Sequence, residues 1–378
     1  MSHLFRRKEP FFCAFRWPVA VCFLFFIFSS LLSAEPTKEF ADEALLYSKC
    51  WEYNAPADLD VNAVADASNV YFLDNENKLH GVDLTFGKKV WSTDVGGDVV
   101  SNLLIADDSV FVVTSSTATP GVQGRSVLWS ISRQTGITEW HAEVSRSPSS
   151  WLGKVGGNVL AVGSEGVVSA FGAAKGEPLW TIKIGSNVTS EPYFDSAGLA
   201  LGIEKNEVVR ISGLDGRLKV VWKSEHLPTA VLLDARGRLL VGDERGNLVS
   251  VSPTGSPSWR FRNGARISRV LAFGTEYIAA SNDNFVYDIS RGGDVRWKRR
   301  LPGRVAGAPL VLGDTVIVST LGAGAVYLLD SKNGKIRNRI ETGDDASPAA
   351  TGRPDGQGFV MTSSRGIVYY SRAKCPVK

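Results

Sequence analysis

Histidine, cysteine and methionine are scarce in this 378-residue chain, which holds four, four and two of them. His3, His80, His141 and His226 stand far apart, without the spacing of metal ligands, so ordinary strand and turn histidines are expected. There is no Cys-Cys pair, no Cys-x-x-Cys, no Gly-x-Ser-x-Gly elbow and no P-loop. With no catalytic constellation, no enzymatic activity is expected. Also missing is any long amphipathic helical pattern after Cys50. Turn signals alternate there with short β-rich runs, and glycine, at 38 residues, is abundant. That combination is an all-β signature.

Net charge is missing too, once the N-terminus is set aside. Arg6, Arg7, Lys8 and Arg16 precede an apolar block from Pro18 to Ala34. A basic region, a short apolar stretch and a small closing residue read as a secretory signal over 1–34, with cleavage expected after Ala34. The alternative is an uncleaved anchor, since about 17 apolar residues sit at the lower limit for spanning a bilayer. Cys22 lies inside the block behind Val21, which is not the setting of a lipid-anchor cysteine. Taking the four basic residues and Glu9 from totals of 42 and 39 leaves 38 basic and 38 acidic side chains. A neutral mature chain gives no argument for a nucleic-acid partner. Residues 35–49 are polar and mildly helical, and read as a lead-in segment.

What the chain has is a repeat. Gly87 is followed four residues later by Trp91, and the spacing returns as Gly136 to Trp140, Gly176 to Trp180, Gly255 to Trp259 and Gly293 to Trp297. A stretched copy runs from Gly216 to Trp222, and a degenerate one from Gly334 to Asn338. Trp51 stands alone one period before the first. The anchors are separated by 37 to 49 residues, with a mean of 41. That is the size of one four-stranded propeller blade. Runs such as Leu160 to Ala170 and Leu240 to Ser250 read as middle-strand hairpins, with Gly or Asn at the turn. Runs such as Glu191 to Phe194 and Ala308 to Leu312 read as innermost strands, where proline is tolerable on an unpaired edge.

The count is eight blades of four antiparallel strands. Residues 345–372 supply three strands and no fourth, while Trp51 belongs to an outer strand with no blade before it. Pairing the two closes the ring and leaves no large sheet edge. The domain is then 50–378. Closure brings together Cys50 and Cys375, the two cysteines left after the signal, and a disulfide between them is expected. It closes a loop of over 300 residues, worth roughly 5 kcal/mol in the chain-entropy account.

The Gly-Lys-x-x-Trp units, best formed over Leu84 to Trp91 and Ala173 to Trp180, resemble the tryptophan-docking repeats of pyrroloquinoline quinone (PQQ) dehydrogenases. The resemblance covers residues 50–375. It implies that Trp51, Trp91, Trp140, Trp180, Trp222, Trp259 and Trp297 are architectural, each packing on the turn of the neighbouring blade. The dehydrogenases carry a quinone and calcium on the propeller axis under a vicinal disulfide. This chain has no such cysteine pair, and no PQQ or calcium site is expected. In length, blade number, closing strand and export it is similar to the propeller scaffold of the bacterial outer-membrane β-barrel assembly machinery, though it lacks the lipid-anchor cysteine.

Two surface features remain. Arg296, Lys298, Arg299, Arg300 and Arg304, with Arg260, Arg262, Arg266 and Arg269 one blade earlier, suggest a positive rim over blades five to seven; strand alternation turns part of the run elsewhere. The second unit is longer, with Ser115 to Gly124 as a candidate contact loop. Asp107-Asp108 and Asp344-Asp345 fall in predicted turns as solvated acids. The expectation is an exported, monomeric, periplasmic or extracellular propeller that binds a protein or peptide partner. The alternatives are a PQQ oxidoreductase or a propeller binding carbohydrate or another small ligand on its axial funnel.

Overall fold

A computed structural model describes residues 46–56, 58–59, 62–116, 124–342, 349–363 and 366–375. The predicted signal over 1–34, most of the lead-in, the middle of the Ser115–Gly124 loop and Asp344-Asp345 lie outside them. Among the described residues no helix is long and apolar enough to cross a membrane.

Eight four-stranded antiparallel blades form a propeller. Blade 1 runs Val64–Ala65, Asn69–Leu73, Lys78–Asp83 and Lys89–Asp94 from axis to rim. Blade 2 differs in its inner strand, which is split into Asp98–Val99 and Leu104–Ala106. Blade 8 takes Ala349–Gly352, Gly358–Ser363 and Gly366–Ser371 from the C-terminus and Ser48–Asn54 from the N-terminus. The first strand starts at Ser48, two residues before the predicted boundary at Cys50. It pairs antiparallel with the last, Tyr53 opposite Ile367. Cys50 and Cys375 are disulfide-bonded, their Cα atoms 5.2 Å apart.

Burial follows strand position. Middle strands, such as Gly198–Ile203 and Ala325–Asp330, are buried at every residue because both faces meet another blade. Outer strands such as Pro178–Lys183 alternate, one face on the next blade and one in water. The core is therefore a set of seams: Leu160, Val162 and Ala170 of blade 3 pack with Leu199, Leu201 and Val209 of blade 4. Pro309 sits where the inner strand of blade 7 loses register between Ala306 and Leu310, so its missing N–H breaks no ladder bond.

The tryptophans lock the seams. Each outer strand carries a β-bulge immediately before its anchor residue: Cys50, Val90, Glu139, Leu179, Ser258, Arg296 and Arg337 in seven blades, and Val221, two residues further along the strand from the turn, in blade 4. The bulge aims the following indole across the seam. Its N–H donates to a turn carbonyl of the next blade: Trp51 to Leu84, Trp91 to Arg133, Trp140 to Ala173, Trp180 to Gly213, Trp259 to Arg291 and Trp297 to Ser331, at 2.8–3.4 Å. The ring lies on the turn glycine. At Gly136, φ is +72° and an added Cβ would meet the Trp91 ring at 2.6 Å, so only glycine meets both demands.

Two seams depart from this pattern. Between blades 7 and 8, where Asn338 stands at the anchor position, Tyr47 is buried among Leu312, Leu328 and Phe359, edge-on to the Phe359 ring at 5.2 Å. Between blades 4 and 5, Trp222 does not dock. The bulge there falls between the Val208–Trp222 and Val209–Val220 pairs, two residues late. Trp222 consequently packs further along the seam beside Val208 and Val249, and an added Cβ on Gly255 would touch nothing within 4 Å. The expected architectural role of Trp222 is corrected to that of a partly buried seam residue without a turn contact.

Candidate functional site

Strand direction decides which loops share a face. In a four-stranded antiparallel blade, each outer strand ends at the level where the next inner strand begins, so all the crossovers emerge on one face. The outer strand of blade 5, Pro257–Arg262, ends on Arg262, and the chain reaches the inner strand of blade 6, Ile267–Phe273, through Arg266. One blade on, Val295–Arg300 ends on Arg300 and Arg304–Leu312 begins on Arg304. Two adjacent crossovers are thus each flanked by two exposed arginines.

Four of the five remaining basic residues of the predicted rim are engaged by carboxylates or carbonyls of the chain itself. Arg296 pairs with Glu276 and comes within 4.0 Å of the buried Asp288. Arg299 donates through Nε to the Gly334 carbonyl at 2.6 Å, clamping the turn of blade 7 under Trp297. Arg260 makes a bidentate pair with Glu225, and Arg269 pairs with Glu191 at 2.8 Å. Lys298 is exposed, its ammonium 5.7 Å from the centre of the Phe285 ring. The rim therefore shrinks to Lys298, Arg300 and Arg304 from the predicted run, joined by Arg262 and Arg266. Alternation along Val295–Arg300 accounts for Arg299, which points into the seam with Trp297 while its neighbours point away; Arg296 also points away and is withdrawn by its pair with Glu276 instead.

Near the axis, the inner-strand regions of blades 4 to 7 line a small open recess of about 160 Å³ with Glu191, Tyr193, Thr229, Ser268, Arg269 and Ala308. Its two charges face each other as the Glu191–Arg269 pair. Among the described residues, no group of three or more His, Cys, Asp or Glu side chains converges as a metal site. Two of the histidines are occupied locally. His80 is buried, stacked on Phe72 and 2.8 Å from Asp74, and His141 lies against Trp129. Asp107 pairs with Lys154 and Asp108 with Arg133, which uses up the first acidic doublet.

Sequence reasoning missed Tyr47, a lead-in residue that proves to be core, and Asp288. Asp288 is fully buried opposite Trp297, neither of its oxygens has a hydrogen-bond partner among the described residues, and burial lifts its carboxyl to about 6. Neither position breaks a local pattern, so the sequence held no signal for them. The altered seam at blade 4 did leave one, the six-residue step from Gly216 to Trp222.

Compared with known proteins, residues 48–154, 124–260 and 244–374 match, in three overlapping passes, the family model described as outer membrane protein assembly factor BamB. The outer membrane protein assembly factor BamB of Moranella endobia (strain PCIT) is 21% identical over 322 residues, 81% of this chain and 78% of that protein. Its namesake from Yersinia pestis is 25% identical over 283 residues, 65% of this chain and 66% of that one. Among solved structures, BamB from Moraxella catarrhalis matches with a TM-score of 0.66 and 15% identity, over 88% of this chain and 99% of that one. At that identity the structural likeness shows the fold alone.

Proposed function

The chain belongs to the family of outer membrane protein assembly factor BamB, and from that premise we propose that it is a non-enzymatic propeller scaffold in outer-membrane protein assembly. The observation that carries the reading is a family match running through every blade, together with relatives whose names state that task. The chain acts after export, outside the cytoplasm.

The contact surface is the crossover face over blades 5 to 7. Arg262, Arg266, Arg300 and Arg304 form a double row of exposed cations, suited to an acidic protein surface. Exposed charges add little affinity singly, but a same-sign row steers encounter and sets orientation. The partner is a protein in the cell envelope, and the scaffold works without a quinone or calcium.

The test replaces the native copy with a variant carrying Glu at positions 262, 266, 300 and 304 and measures assembled β-barrel proteins in outer-membrane fractions. Lower assembly at an unchanged amount of the chain is expected. Normal assembly in cells lacking the chain altogether would sink the scaffold reading. Saturable binding of PQQ with calcium, followed by alcohol oxidation, would replace it with an enzymatic one.

A further inference from the structure

The face opposite the crossovers carries the turns on which indoles dock, and one of those turns receives none. Ser252 to Ser256 in blade 5 has the same hydrogen-bond pattern as Ser290 to Asp294 in blade 6. Ser252 N–H donates to Ser256 O and Gly255 N–H to Ser252 O, as Ser290 does to Asp294 and Gly293 to Ser290. In blade 6 the intervening carbonyl, Arg291 O, accepts the Trp259 indole at 2.8 Å. Its counterpart in blade 5 is the Pro253 carbonyl, which accepts no hydrogen bond among the described residues. Gly255 keeps the conformation of the docking turns, with φ +88°, and has open space above it.

The late bulge of blade 4 created this gap. Lys219 pairs with Arg210 at the rung where Trp180 pairs with Ala170 one blade earlier. In place of an indole there is a cavity of about 400 Å³ between Lys219, Val220, Leu239, Val251, Pro253 and Gly255, within the roughly 300–1,000 Å³ range of ligand sites. Val220, Val221, Leu233, Leu239 and Val251 give it apolar walls, and Val220 is partly open to solvent (37%). The charge at the site is positive. Arg210 is paired with Asp195, while Lys219 is exposed and without an ion-pair partner among the described residues.

We propose that the blade 4–blade 5 seam is a docking slot for an aromatic side chain, an indole first, from a partner polypeptide with Asp or Glu beside that aromatic. Six seams of the same molecule show what such a slot holds: a tryptophan ring on the turn glycine with its N–H on the turn carbonyl. The apolar walls take the ring, the Pro253 carbonyl takes the N–H, and Lys219 takes the neighbouring carboxylate. The slot lies on the other face from the arginine row, so it is a second contact surface that stands apart from the scaffold reading.

The probes are fluorescein-labelled pentapeptides with a central Trp between two Asp residues, and versions with Ala for Trp, Lys for Asp, or 1-methyltryptophan. Anisotropy titrations use the mature chain. The Trp-Asp peptide is expected to bind, with Ala for Trp costing at least about tenfold. Methylating the indole, which replaces the N–H donor by a methyl group, costs at least about fivefold. K219E reverses the preference toward the Lys-flanked peptide. K219W supplies the missing indole from within, so it abolishes binding and raises Tm; far-UV dichroism reports whether that variant is folded. Equal affinity for Trp and Ala peptides overturns the proposal. So does binding that survives in folded K219W but is lost on charge reversal of Arg300 and Arg304, because the peptide then sits on the crossover face.

Discussion

The indole N–H of Trp51 lies 2.8 Å from the carbonyl of Leu84, so the residue that completes blade 8 is also docked on blade 1. The same residue pairs with Tyr369 of the last strand. One side chain thus holds both sides of the joint at which the ring closes. Cys50, one residue earlier, ties the strand to Cys375.

The docked tryptophans are the first test. Trp→Ala at Trp51, Trp91 or Trp180 should cost about 3–5 kcal/mol, because each removes a large core side chain and orphans a carbonyl. Trp222→Ala should cost clearly less, having no turn bond to lose. Denaturant melts of the four variants check the order. Equal losses would mean that the turn contact contributes nothing.

The disulfide is the second. Cys50→Ser or Cys375→Ser should lower stability by about 2–5 kcal/mol. Loosening should begin at the joint, so amide exchange should accelerate first in Ser48–Asn54 and Gly366–Ser371. Uniform acceleration around the ring would contradict a local role.

Asp288 supplies a pH test. Its carboxyl titrates at about 6 when folded and near 3.9 when unfolded. Between those values the folded chain holds a proton that the unfolded chain has released, so this residue makes stability fall as pH rises from about 4 to about 6 and stay level above. Asp288→Asn cannot ionise. Its stability relative to wild type should therefore climb over that window by about 3 kcal/mol and then plateau. A pH-independent difference would show that the carboxyl is not raised.

The arginine row should behave as a surface. Charge reversal at Arg262, Arg266, Arg300 and Arg304 should leave Tm within about 2 °C, since none is buried. The same change should slow association with the envelope partner, and the slowing should fade with added salt. Surface plasmon resonance at two ionic strengths separates this from unfolding.

Much of this was legible beforehand because the repeat is periodic and the physics of a blade is local. The spacing of Gly87 and Trp91 predicts a turn and the blade period, the resemblance to the tryptophan-docking repeats implies the docked indole, and Trp51 without a preceding blade predicts the closure. The basic run was only half legible. Sequence shows that Arg296, Arg299 and Arg300 are close together, but not that Glu276 and the Gly334 carbonyl claim the first two. Trp222 misled for a sharper reason. A bulge adds a residue without leaving a residue type that marks it, so the spacing signals a stretched strand without saying which side chain turns inward. Lys219 at that position could be found only from the register.

The closing strand has a consequence for the order of assembly. Ser48–Asn54 is made before any of blades 1 to 7, yet its partner Gly366–Ser371 is made after all of them. Throughout synthesis the blades behind it can pair and stack while this strand waits with nothing to join. Among the described residues the joint is thus the contact of greatest sequence separation, and the one with the largest loop-closure cost. A chain cut short by even its final blade is left with two raw edges, a hazard that the complete ring removes in a single step.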